Sequence, residues 1–296
     1  MCTLFTGSFR NNFNSIPPFI NFLKTANMKR IVIIMAGLLL TLAACNNSDD
    51  KSAEKKVKYS DLANDNLKGD IESIEDTPYQ VDSTGKAGAM DSCCMEVTQF
   101  DENGNAVKFT SRDSKGTVKN ESVFTRNADG LWTGSTDTKE GGKPGGSMKV
   151  GVDDKGQYTI AQTFDSTGKP DIYYTTVGQN EYGQVLGWKQ YDKDSVFRQS
   201  GESKFDKSLF MGFTGKDSLG KVKSTSSVKY NDKSEQTEIS NTTITKDSTT
   251  TKVTKYTYDT HDELGNWTQR TELNEKGKAV KITKRVYTYR KADAKK

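Results

Sequence analysis

From Asp82 onward the chain alternates apolar and polar residues in runs of about eight, the mark of half-buried strands, and most runs end on one short motif. An Asp or Asn is followed three residues later by Gly: Asp82/Gly85, Asp101/Gly104, Asp113/Gly116, Asn127/Gly130, Asp153/Gly156, Asp165/Gly168, Asn180/Gly183, Asp217/Gly220, Asp262/Gly265 and Asn274/Gly277. The acid or amide caps a turn by accepting backbone N–H groups, and Gly takes the left-handed conformation that other residues resist. Such turns join antiparallel strands. Degenerate copies at Asp192-Lys193-Asp194, Asp206-Lys207-Ser208 and Asn231-Asp232-Lys233 occupy the wider gaps. Counting all of them predicts roughly fourteen strands, each about 25 Å long.

Within the runs, Tyr158, Ile160 and Phe164 share one face, with Gln157, Thr159 and Thr163 on the other. Trp267 and Leu273 likewise oppose Thr268, Arg270 and Glu272. One buried and one wet face is expected of antiparallel sheet. Two stretches depart from the pattern. Lys139 to Ser147 reads as a flexible loop, and the Thr-rich stretch from Asn241 to Lys255 as an edge hairpin with weakly specified register. The expected fold is all-β: a meander of antiparallel hairpin repeats over residues 59–296, forming a curved open sheet or partial barrel.

The beginning of the chain has a different character. Met28-Lys29-Arg30 is a short basic start before the apolar run Ile31 to Leu42, which is too short for a resident membrane helix and has the layout of a secretory signal. It ends in Leu42-Ala43-Ala44-Cys45, which resembles the lipobox of bacterial lipoproteins, in which the Cys is lipidated and the preceding peptide removed. On that reading residues 1–27 are an upstream leader with Met28 as initiator, 28–44 are the signal peptide, and 45–58 are lipidated Cys45 and a flexible tether. Ser48-Asp49-Asp50 resembles the acidic export signal of surface lipoproteins in Bacteroidetes-type bacteria; the competing reading is a solvated acidic patch. The expected location is the outer membrane, with the membrane partnered through the lipid.

Processing also changes the charge. The chain has 43 basic and 39 acidic side chains, and residues 1–44 contain Arg10, Lys24, Lys29 and Arg30 and no acid, so 39 of each sign remain. A balanced domain has no electrostatic footprint for phosphate backbones, which argues against a nucleic-acid partner.

A Tyr or Phe directly precedes the turn residue at Phe100-Asp101, Phe164-Asp165, Tyr191-Asp192, Phe205-Asp206, Tyr230-Asn231 and Tyr258-Asp259, and the last leads into Gly265-Asn266-Trp267-Thr268. These segments resemble the YD-repeat (Rhs-like) proteins, particularly short lipoprotein relatives in Bacteroidetes. The resemblance covers roughly Asp82 to Tyr289. It implies a β-hairpin array without implying a function, and this chain is too short for the large shell that long Rhs proteins form. The aromatic before each turn is expected to stack on an aromatic of the neighbouring strand.

Little catalytic chemistry is available. His261 is the only histidine and sits beside the Asp262 turn, as an exposed turn residue would. One His and so few Cys assemble no zinc site. Cys93 and Cys94 point to opposite faces if the strand is regular, which predicts one packed and one semi-exposed thiol, a vicinal bridge being the alternative. Asp101-Glu102-Asn103-Gly104-Asn105 has oxygens at alternate positions, but sister turns carry Lys where a calcium ion would be repelled, so turn formation explains it. Gly141 to Gly146 lacks the order of a phosphate loop. Carboxylate-only chemistry such as glycoside hydrolysis is all the composition permits, and no pair of acids stands out from the turn acids. Neither a metal nor another cofactor is expected. Trp132, Trp188 and Trp267 are candidates for a platform on which sugar rings stack, or else pack the buried face.

These observations lead to the expectation of a non-catalytic, lipid-anchored envelope protein that presents a β-sheet surface to glycan, protein partner or envelope component. The alternative is a lipid or lipoprotein handling factor with an apolar groove.

Overall fold

All ten Asp/Asn-x-x-Gly motifs form turns with the Gly at positive φ. At Asp101 the Oδ1 accepts from the backbone N–H of Asn103 and of Asn105, both at 2.9 Å, while Gly104 N donates to Asp101 O at 3.0 Å. Ser195 and Ser234 take the glycine's place in two degenerate copies, at φ of 61° and 64°. The structure is a computed structural model and describes residues 59–91 and 94–291. The leader, signal peptide, Cys45, Ser48, Asp49, Asp50 and tether lie outside the described residues.

Seventeen strands follow one another, more than the turns alone suggest. They are β1 (Ile71–Val81), β2 (Ala87–Met90), β3 (Met95–Phe100), β4 (Ala106–Arg112), β5 (Val118–Arg126), β6 (Trp132–Lys139), β7 (Lys143–Val152), β8 (Tyr158–Phe164) and β9 (Pro170–Thr176). The second half comprises β10 (Gly187–Tyr191), β11 (Phe197–Asp206), β12 (Leu209–Asp217), β13 (Val222–Tyr230), β14 (Gln236–Ile244), β15 (Thr249–His261), β16 (Trp267–Leu273) and β17 (Ala279–Tyr289).

From β3 to β17 each strand pairs antiparallel with the next, and β17 returns to pair with β1 from Ile71↔Tyr289 to Gln80↔Lys281. β1 completes the ring by pairing with β3 from Ser73↔Gln99 to Asp76↔Glu96. β2 lies on that same side of β1, through Tyr79↔Met90, so β2 and β3 share one position in the wall. The sheet is therefore a closed barrel of sixteen strand positions with one extra strand, not an open sheet or partial barrel. Closure pairs the sheet edges that an open meander would leave exposed.

Closure also corrects two local expectations. The Thr-rich stretch from Asn241 to Lys255 is no edge hairpin, because β14 pairs with β13 and β15 with β16. Lys139 to Ser147 is no loop excursion. Gly141 and Gly142, both at φ 75°, make a tight turn and the chain enters β7 at once, with Thr138 opposite Pro144.

The inner face carries the core. Ala161, Tyr174 and Trp188 are 1%, 0% and 1% exposed, and Met148, Phe109 and Ile74 are buried on the same side. Here the strand phase departs from the simple alternation. The register shifts between Val150/Ala161 and Val152/Tyr158, so Tyr158 is buried, Ile160 turns outward at 51% exposed, and Ala161 and Thr163 face the core. A bulge inserts one residue, which reverses the side-chain phase beyond it. Irregular pairing of β15 with β16 acts similarly: Arg270, expected on the wet face, is buried with its guanidinium 4.6 Å from the Tyr256 ring centre.

The outer face mixes charged pairs with exposed apolar side chains such as Val123, Ile160 and Val286. Lys229 and Glu238, directly opposite in the register, pair at 2.8 Å; Lys108–Glu121 and Lys216–Glu202 pair diagonally at 2.8 and 2.6 Å. Lys149, Lys189, Lys255 and Lys284 stand on the same face near the middle of their strands, set by their pairing with outward neighbours. A transmembrane barrel has an apolar outer band about 25 Å tall, and each Lys at its midplane costs roughly 2–4 kcal/mol.

Cys94 is disulfide-bonded, with φ 82°, and the chain's other cysteines lie outside the described residues. The expectation of two free thiols in a regular strand is thus corrected. The segment that carries Cys94 interrupts the wall between β2 and β3, with Cys94 N donating to Arg112 O at 3.0 Å.

Candidate functional site

Strand direction alternates, so the hairpin turns divide between two barrel ends. The end where β1 begins and β17 finishes is closed by residues 59–70, which the periodicity did not single out. This plug contains one short helix, α1 (Asp61–Asn64), capped by Ser60. It crosses five turns. Tyr59 N donates to Asp129 O (3.2 Å), Leu62 N to Gly104 O (3.0 Å), Asn64 Nδ2 to Tyr182 O (3.2 Å) and Asn66 Nδ2 to Lys233 O (3.3 Å). The fifth contact is a reciprocal pair with Asn266. Asp61 is buried, accepts from Ala106 N at 2.9 Å, and pairs with Arg126. Burial raises the Asp61 carboxyl above its ordinary range even though Arg126 opposes this.

Beneath the plug lies a cavity of about 120 Å³, bounded by the plug residues 64–68 and by residues of β1, β3, β4 and β12 to β17. Asp76 and Arg285 line it as a bidentate ion pair, with both nitrogen–oxygen contacts at 2.7 Å. The two are opposite residues of β1 and β17, so the strand contact that closes the barrel also forms this pair. Trp267 supplies an aromatic wall: Arg285 stacks on it at 3.9 Å and Arg270 at 4.9 Å. Tyr258 adds a second ring and anchors its hydroxyl on Gln236 O at 2.8 Å.

Three acceptors of this lining lack donors. Asp65, from the plug, and Glu96, from β3, form no ion pair among the described residues. Gln236 is 8% exposed and its Oε1 is buried without a hydrogen-bond partner. Asp65 and Glu96 are half-buried and keep some surface open, as cavity-lining groups do. Burial, reinforced by Asp61 and opposed by Arg285, pushes the Asp65 carboxyl up to about 8. Burial and Asp76 push the Glu96 carboxyl up to about 7 against Lys281, Arg285 and Arg270.

The turns at the plug end, at 101–105, 127–131, 153–157, 180–184, 206–209, 231–235 and 262–266, carry eleven acidic and three basic side chains. The eight turns at the far end, at 82–86, 113–117, 139–143, 165–169, 192–196, 217–221, 245–248 and 274–278, carry nine and ten. The cavity therefore sits at the negative end of an otherwise balanced barrel.

The sequence-level candidates fall elsewhere. Trp132 and Trp188 are 3% and 1% exposed and belong to the core; only Trp267 reaches the cavity, so the three make no surface platform. His261 is no exposed turn residue: it is half-buried and hydrogen-bonded to Glu235, at the cavity margin. No group of three or more His, Cys, Asp or Glu side chains among the described residues is arranged to hold a metal ion.

Fold and site together define a plugged, closed antiparallel β-barrel with a polar cavity inside one end. No protein-family model and no curated protein matches the chain. Among solved structures it is similar to a porin-like protein from Bacteroides uniformis, at 13% identity and a TM-score of 0.47, covering 74% of this chain and 98% of that one. A second porin-like protein, from Bacteroides vulgatus, is similar at 12% identity and a TM-score of 0.32, covering 75% and 99%. The closed barrel described above rests on this chain's own strand pairing.

Proposed function

We propose that the protein is a non-catalytic binding protein, tethered to the outer membrane through lipidated Cys45, whose barrel stands in water and receives a small polar ligand beneath its plug. The observation that carries this reading is the inversion of the transmembrane arrangement: ion pairs outside and a packed aromatic core inside. A barrel of that build is held at a membrane by its tether. The tether leads into the barrel at Tyr59, on the plug end.

Catalysis by a carboxylate pair fits poorly. A glycosidase keeps one acid protonated and its partner ionised, whereas burial pushes Asp65 and Glu96 in the same direction. The lipid-handling alternative fits poorly too, since the cavity is lined by ionisable groups. A protein or glycan contact has one observation in its favour: Tyr173 and Tyr191 stack at 4.8 Å on the outer wall, beside Phe197.

Cell fractionation tests the reading. Wild-type protein should need detergent for extraction, and Cys45→Ala should be recovered as a folded, detergent-free monomer. A Cys45→Ala variant that still requires detergent would show that the barrel itself enters the bilayer and end this proposal.

A further inference from the structure

We infer that the cavity beneath the plug binds a small organic cation with two or more N–H donors, such as a short diamine; this deepens, and rests on, the reading of a lumenal binding site. Asp65, Glu96 and the Gln236 Oε1 are acceptors without donors on three separate elements around one space. The Gln236 Oε1 is buried, and the two carboxyl groups keep part of their surface open to the space. Among the positive groups nearby, Lys68 and Lys233 line the space at exposed positions and Lys281 faces Glu96, while the two guanidinium groups are engaged. Arg285 is held bidentately by Asp76 and lies flat on Trp267, and Arg270 lies between Tyr256 and Trp267. An anion would have to compete with Asp76 for the Arg285 guanidinium, whereas a cation meets two carboxyl groups, Asp65 and Glu96, that form no ion pair among the described residues.

The rest of the site suits the same ligand. The rings of Trp267 and Tyr258 can cover a short methylene chain and face the ammonium with their negative faces. The excess of acids on the plug-end turns draws cations toward this end of the barrel. Charge balance adds a coupling to pH. Arriving as a dication, the ligand lets Asp65 and Glu96 ionise, and their protons leave to solvent. Asp65 is faced by Asp61 and Arg285, and Glu96 by Asp76, Lys281, Arg285 and Arg270. Uptake should therefore release protons near neutral pH and tighten as pH rises.

The test is titration calorimetry on the full-length protein in detergent, at pH 6 and pH 8, with four probes: 1,3-diaminopropane, 1,4-diaminobutane, malonate and 1,3-propanediol. The expected result is diamine binding at least about tenfold tighter at pH 8 than at pH 6, since each proton released adds up to tenfold per pH unit, with proton release read by repeating the titration in a second buffer. Asp65→Asn and Glu96→Gln should each weaken it about tenfold or more, the loss of one charged hydrogen bond. Both variants remove a buried acid and should fold at least as well as wild type at pH 8, which melting curves will verify. Malonate or propanediol binding that depends on Glu96, without diamine binding, would overturn the cation assignment and leave the lumenal site standing. Diamine binding indifferent to both variants would also overturn it. Absence of binding by all four probes would remove the assignment and the ligand site of the proposed function together, while the tether would still be judged by the Cys45→Ala variant.

Discussion

Lys68 and Asn266 hold each other by two reciprocal hydrogen bonds across 198 residues of sequence: Lys68 N donates to Asn266 Oδ1 at 2.9 Å, and Asn266 Nδ2 donates back to Lys68 O at 2.8 Å. Asn266 is 4% exposed and also donates to Tyr289 Oη at 2.9 Å. The side chain thus imitates a strand neighbour for the plug. Asn266→Ala should cost about 1–3 kcal/mol, because two part-buried hydrogen bonds to the Lys68 backbone are lost. Limited proteolysis should then cut within residues 59–70 well below the global melting temperature. A plug that stays protected would show that its other contacts suffice.

The Asp61–Arg126 pair should behave as a buried charge pair does. Arg126→Met leaves Asp61 enclosed and unpaired, and should destabilise by roughly 3–5 kcal/mol. Adding Asp61→Leu should recover part of that loss, since no charge is then stranded. Chemical denaturation of both variants measures this; a double variant as unstable as the sum of its singles would contradict the pairing.

The turn glycines should separate into two classes. Gly277 has φ 75° and open space around it, so Gly277→Ala meets only the left-handed strain of about 1–2 kcal/mol. Gly104 has φ 78°, but an added Cβ would lie 2.6 Å from Ser60 Oγ and 3.2 Å from Leu62 Cδ1. Gly104→Ala should therefore cost more and loosen the plug as well. Equal melting temperatures for the two variants would deny the docking of the plug on that turn.

Stability should decline from mildly acidic to mildly alkaline pH. The Asp65 and Glu96 carboxyls lie near 8 and 7 in the folded chain and near about 4 when unfolded. The folded state consequently holds more protons over that interval. The contribution is complete near pH 4 and lost as pH rises through 7 and 8. Below about pH 4 the turn acids take over in the opposite sense, since hydrogen bonds from Thr84 and Thr167 hold the Asp82 and Asp165 carboxyls below their ordinary range. The melting temperature should be higher at pH 5.5 than at pH 8.5, and the Asp65→Asn, Glu96→Gln double variant should flatten that difference. An unchanged slope in the double variant would place the titrating groups elsewhere.

The local part of this structure is written in the sequence. An Asp or Asn with a Gly three places on forms its turn from contacts spanning four residues, so every such motif could be recognised without knowing what lies across the barrel. The aromatics before the turns are legible in part: Tyr191 meets Phe197, Phe205 meets Phe210, and Tyr258 meets Trp267, each within 6 Å between ring centres but tilted or edge-on, while Phe100 and Phe164 stand opposite Ala106 and Pro170. Closure was not legible, because Ile71↔Tyr289 joins the two ends of the strand series, and only the accumulated twist and bulges of the intervening strands bring them together. The same bulges decide which face is inner. That is why Ile160 points outward and Arg270 inward, against simple alternation. Asp65, Asp76, Glu96, Gln236 and Arg285 look like ordinary polar residues in a polar chain. They become a site only when closure and the plug remove them from water together, a condition set by pairings about 200 residues apart and by no local pattern.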